Sequence, residues 1–227
     1  MSTYSDLGIE LMVTGENAGT WGTKTNNNLN LIEQLTGGFA TLSIAGGAGN
    51  QDLDVDDGAL TGTAQQRIIE FTGSITGNRI ITIPNDVETF YILKNSTSGA
   101  YTVQFKYATG SGSSTTFSAT DKGIKTVYAS ANDGTNPDIV DVMANSSEIV
   151  LANNNPIKFN DADNSAFVGI DAPATVSGSY TLTLPAAVGS ASQALVTTDG
   201  AGTLGFTSTS TFGITTGKAI AMAIVFG

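Results

Sequence analysis

The sequence predicts an all-β protein: an antiparallel β-sandwich-like domain behind a short N-terminal helix, then a β-rich module that needs packing between subunits. Three observations carry this expectation. Thr, Ser, Asn, Gly and Ala dominate while only 13% of residues are charged, a mixture that opposes long helices and favours strands joined by tight turns. Residues 101–107 alternate strictly, with Tyr101, Val103, Phe105 and Tyr107 apolar and Thr102, Gln104 and Lys106 polar. Turn signals then recur at short intervals, at Thr76-Gly77-Asn78, Pro84-Asn85-Asp86, Ser96 to Gly99 and Asn132-Asp133-Gly134.

Taken in order, Leu7, Ile9, Leu11 and Val13 alternate as a half-buried strand. A helix is expected over 25–35, capped by Thr25, with Leu29, Ile32 and Leu35 on one side and Gly37-Gly38 as its stop. It is too short to be stable without a partner surface. Strands are expected at 39–44, 51–55, 67–71, 79–83, 89–94, 101–107, 125–130 and 138–143, about eight in all, the spacing of a sandwich or barrel. Beyond Ser146-Ser147 weaker strands are expected at 148–151, 157–159, 166–170, 180–184, 194–198 and 204–206. Large apolar residues are so few there that the segment cannot bury a core of its own. Several copies sharing one core is the simplest remedy. The expected organisation is a strand-turn-helix attachment segment (1–38), the sandwich-like domain (39–146), the β-rich module (147–208) and an apolar C-terminal docking segment (209–227).

Composition excludes several chemistries. The 227-residue chain has no Cys and no His, so it lacks a thiol nucleophile, an imidazole base, disulfides and an ordinary zinc site. Net charge is -11 with nine scattered cations, which opposes nucleic-acid binding. Met1 to Asp6 lacks a basic stretch followed by an apolar one, so no secretory signal is expected. The longest apolar run, 219–226, falls short of the ~20 residues needed to span a bilayer, so no membrane insertion is expected. Asp52, Asp54, Asp56 and Asp57 resemble a cation loop only superficially, since Gly58 comes one position late and Thr63 stands where a bidentate Glu belongs. Alternation reads Asp52, Asp54 and Asp56 as a solvated strand face. No pair among the 20 carboxylates is singled out for glycosidase chemistry. We expect no catalytic residue, cofactor or metal.

Two stretches resemble modules of bacteriophage tail-fibre and virion structural proteins, especially those of marine phages. Residues 14–34 carry a glycine-rich turn (Gly15, Gly19), Thr20-Trp21-Gly22, an Asn-rich helix start (Asn26-Asn27-Asn28) and Leu31-Ile32-Glu33. Residues 159–200 carry an aspartate-rich turn (Asp161, Asp163), Val168-Gly169, Ala172-Pro173, Leu184-Pro185 and Asp199-Gly200, which is similar to a repeat found along fibre shafts. The resemblance implies a non-enzymatic component of the virion, assembled in the host cytoplasm. It would be a homotrimeric tail-fibre or appendage protein attached through its N-terminal region. The implied partners are further copies of itself, other virion proteins of tail, collar or capsid, and a host surface glycan. A capsid decoration or head-fibre protein, or a lectin-like receptor binder, are the alternatives.

The expected interface residues follow. Trp21, the only tryptophan, is either an anchor in a partner's pocket or a staple within its own fold. Leu29 and Ile32 line the helix. Ile220, Met222, Ile224 and Phe226 lie in an uncharged C-terminal strand that would aggregate if exposed; it pairs either within its own fold or, as the docking segment, between subunits or into another virion protein.

Overall fold

The computed structural model describes residues 1–151 and 155–212, which fall into two compact units, Met1–Ile149 and the chain from Val150 onward. Among these residues β-strands dominate and there is one α-helix. The expected attachment segment 1–38 and the strands of 39–146 belong to one unit.

The first unit opens with a minimal ladder of β1 (Thr3–Tyr4) on β2 (Glu10–Leu11), followed by α1 (Trp21–Gly37). The helix starts earlier than 25 because nothing in Trp21-Gly22-Thr23 breaks it. The turn before it supplies the break, with Asn17 at φ 61° and Gly19 at φ 81°. Thr20 precedes the first turn without a side-chain cap, and Thr25 lies inside the helix. The stop is where the paired glycines put it, with the Gly38 N–H donating to the Gln34 carbonyl at 2.8 Å. Leu31 and Leu35 face inward; Leu29 and Ile32 do not share their side.

Nine strands follow: β3 (Phe39–Ser43), β4 (Gly49–Asp52), β5 (Ile68–Thr72), β6 (Arg79–Ile83), β7 (Thr89–Asn95), β8 (Val103–Tyr107), β9 (Thr115–Phe117), β10 (Ile124–Ala129) and β11 (Ile139–Asp141). They form a five-stranded sheet, β11-β10-β7-β5-β3, and a four-stranded sheet, β4-β6-β8-β9. The sheets are not antiparallel throughout, contrary to expectation, because the chain crosses between them after each strand from β3 to β8 instead of folding back. β3, β5 and β7 are mutually parallel, as are β4, β6 and β8. From β3 to β8, successive strands do not pair as hairpins. Each odd strand of the set β3 to β8 turns a corner into the opposite sheet, and the next pass stacks beside the last, in the manner of a short β-solenoid of three coils. The corners stack too, through the parallel bridges Gly46–Ile75 and Ser74–Ser98. Gly99 shows why glycine is needed there: its φ is +100°, and a Cβ would overlap the Ile75 carbonyl of the previous corner.

Both sheets feed one core. Ile69, Phe71, Tyr91 and Leu93 come from the first and Ile81, Ile83, Val103, Phe105 and Tyr107 from the second, with the Tyr91 and Phe105 rings edge to face at 5.4 Å. Burying each such side chain contributes about 1.5–3 kcal/mol. Three buried polar side chains of this core, Tyr91, Tyr107 and Asn95, are paired. The Tyr91 hydroxyl donates to the Ala64 carbonyl (2.7 Å) and the Tyr107 hydroxyl to the Val87 carbonyl (2.8 Å). Asn95 donates to the Asp121 carbonyl and accepts from both the amide and the hydroxyl of Thr97.

After β8 the chain reverses. β9 runs antiparallel to β8, β10 to β7, and β11 to β10. Lys125 and Asp141 pair there at 2.9 Å, with the Lys125 ammonium 5.6 Å from the Phe117 ring centroid.

In the second unit, β12 (Ile157–Asn160) pairs with β13 (Phe167–Ile170), and β14 (Gln193–Thr197) pairs with β15 (Leu204–Ser208), both antiparallel. The expected strands at 148–151 and 180–184 are absent. Thr183 makes only an isolated bridge to Thr203, its amide donating to the Gly202 carbonyl and its carbonyl accepting from the Leu204 amide. No described residue from 155 to 210 is buried.

Candidate assembly surfaces

Asparagine side chains seat the helix on its unit. Asn28 accepts from the Glu10 amide (3.0 Å) and donates to the Glu10 carbonyl (2.8 Å), while Asn27 and Gln34 donate to the carbonyls of Gly58 and Leu60. Lys24 pairs with Glu10 at 2.9 Å, and that bond holds the Glu10 carboxyl below its ordinary range. With Leu31 and Leu35 fixed inward, helical spacing turns another stripe outward. Trp21 is 62% exposed, Leu29 58% and Ile32 45%. Trp21 is thus not buried within its own unit.

A second surface escaped sequence reasoning. Register aligns Phe39, Ile68 and Ile92 across the outer side of the five-stranded sheet. Beside that row the Phe90 and Tyr128 rings meet at 5.2 Å. Tyr128 donates to Glu88 (2.8 Å), a bond to the carboxylate that raises its phenol above the ordinary range. Glu70 bonds Lys94 (2.8 Å) and Ser96, and the Lys94 ammonium lowers its carboxyl. Only strand order, which the sequence does not carry, brings Phe39, Ile68 and Ile92 together.

The third surface is the β12–β13 hairpin. Ile157 lies opposite Ile170 and Phe159 opposite Val168, so alternation gathers all four on one face. They are 50%, 64%, 57% and 72% exposed respectively. Lys158, Asn160, Phe167 and Gly169 take the other face, where the Lys158 ammonium sits 4.3 Å from the Phe167 ring centroid. Asp161, Asp163 and Asn164 form the connecting turn, with Ser165 donating its amide to Asp163 and its hydroxyl to Asp161.

Ile220, Met222, Ile224 and Phe226, and with them the expected docking segment, lie outside the described residues.

The acidic run does not form the expected strand face, because β4 ends at Asp52. Thr82 donates its hydroxyl to Asp52 and Thr61 to Asp56, and Asp54 accepts from both the amide and the hydroxyl of Thr63. Those Thr63 bonds hold the Asp54 carboxyl below its ordinary range. These carboxylates organise the loop between the first two coils, with Gln65 bonded to the Leu7 and Asp56 carbonyls beneath them. Among the described residues no three acidic side chains are grouped to hold a metal ion, and no helix is long and apolar enough to cross a membrane.

No family model matches the chain, and neither a curated protein nor a solved structure matches it.

Proposed function

We propose that this chain is a non-enzymatic structural component of a bacteriophage virion, a trimeric tail-fibre or appendage protein attached to the particle through its N-terminal region. The observation that carries the reading is the second unit. Its described residues form two separate two-stranded ladders with no buried side chain. A lone two-stranded ladder is at best marginally stable in water. Such a unit is a building block, completed by other chains. The resemblance of residues 14–34 and 159–200 to phage fibre modules supplies the setting. The exposed Trp21, Leu29 and Ile32, presented on a helix anchored from behind, supply an N-terminal surface for another virion protein.

Light scattering on the purified chain tests the assembly, and locating a labelled copy on intact particles tests the setting. The expected mass is three times 23.2 kDa. A stable monomer at micromolar concentration, or particles without the label, overturns the proposal.

A further inference from the structure

The geometry points to a specific self-association surface: the face of the β12–β13 hairpin bearing Ile157, Phe159, Val168 and Ile170 packs against the same face of a second copy of this chain. This rests on the multimeric reading above and assigns the contact.

The need for cover comes first. The hairpin is already ordered from within, since its turn is bonded through Asp161, Asp163 and Ser165, and the Asn160 amide reaches Asn164 at 3.1 Å. The turn fixes register, yet the apolar face it creates is left in water.

The occupant follows from charge and shape. The chain carries a net charge of -11, so two copies repel unless they meet where charge is absent. This face is such a place. Its four residues are uncharged, the only cation of the hairpin lies on the opposite face against Phe167, and the two Asp residues are confined to the turn. A basic or acidic partner would find nothing here to pair with. In the trimer, copies of this face that converge on the threefold axis give every apolar side chain apolar counterparts from the neighbouring chains. Four side chains alone fall short of the roughly 1,000 Å² that a stable interface buries. Exposed Leu182, Leu184, Leu195 and Phe206 of the same unit provide further apolar surface.

The absence of cysteine makes the test clean. Val168→Cys places one thiol on the proposed face and Gly169→Cys places one on the opposite face, where an added Cβ meets only ordinary contacts. Each full-length variant is treated with a short bismaleimide reaching about 10 Å, the separation of facing sheets. Denaturing electrophoresis and light scattering are then read together. The expected result is a cross-linked dimer band for Val168→Cys, at least tenfold stronger than for Gly169→Cys, with both variants multimeric. A multimer in which Val168→Cys does not cross-link overturns this face while leaving the multimeric reading intact. Equal cross-linking of both variants also overturns it. If neither variant nor the parent chain is multimeric, both readings fall.

Discussion

Gly99→Ala tests the stacking of the coils directly. At φ +100° an alanine is strained in any context, which costs about 1–2 kcal/mol. Its methyl would also overlap the Ile75 carbonyl, the group that the stacked corner brings against it. Relieving that overlap parts the two corners, where Ile75 donates to the Ser98 carbonyl and Ser98 to the Gly73 carbonyl, each at 3.0 Å. Losing one or both adds about 1–2 kcal/mol. The expected destabilisation is therefore about 2–4 kcal/mol. With a slope of about 2 kcal/mol per molar urea, the midpoint falls by about 1–2 M. Near-ultraviolet circular dichroism is a suitable probe, because the buried Tyr91 and Tyr107 sit in this core. Gly134→Ala is the control: its φ is ordinary, nothing lies near its Cβ direction, and its midpoint should move by less than about 0.5 kcal/mol in equivalent terms. If Gly99→Ala unfolds with the parent's midpoint, the corners do not stack and the parallel arrangement of the coils is wrong.

Two further outcomes follow from buried and paired groups. Tyr91→Phe removes the donor to the Ala64 carbonyl in a site where burial keeps the phenol protonated well beyond its ordinary range, and should cost about 1–2 kcal/mol in urea unfolding. A loss below about 0.3 kcal/mol would show that water replaces the hydroxyl. Glu10, Glu70 and Asp138 all titrate below their ordinary values, held down by Lys24, by Lys94 and by the Ser113 amide respectively. Depressed carboxylates contribute stability above their unfolded values of about 4 and lose it as pH falls through the folded ones. The melting temperature should be level between about pH 7 and pH 5 and fall below about pH 4, and a level profile down to pH 3 would refute these pairings.

The strands of the first unit were largely legible in the sequence, and their partners were not. Residues 101–107 declare themselves by alternation and by the turn before them, and β8 sits there. Alternation, however, is the same whether the next strand folds back beside its predecessor or crosses to another sheet. The distinguishing signal lies in the corners: 44–48, 73–78 and 96–102 are too long for a two-residue hairpin and rich in residues that suit positive φ. β9 was missed because Thr115 and Thr116 lie in a serine- and threonine-rich stretch that reads as loop. On the helix, Leu29, Ile32 and Leu35 share one broad apolar arc. Which part faces inward is decided by Asn27, Asn28 and Gln34, whose bonds to distant carbonyls carry no periodicity. The hairpin face was half visible as the alternation of Ile157 and Phe159. Its other half, Val168 and Ile170, needed the register.

The reversal of β9 and β10 bears on how this protein can change length. A parallel stack extends by adding coils, each resting only on its neighbours. Beyond β7 and β8 that route is closed, because antiparallel strands already occupy both outer edges and Lys125 and Asp141 tie β10 to β11 there. A duplicated coil appended after residue 107 would have no ladder to join. One inserted between β4 and β7 would find parallel neighbours on both sides, pushing the terminating strands outward without altering them. Natural or engineered variants that are longer in this unit should therefore differ by whole internal coils, with the closing strands retained as a fixed end-piece.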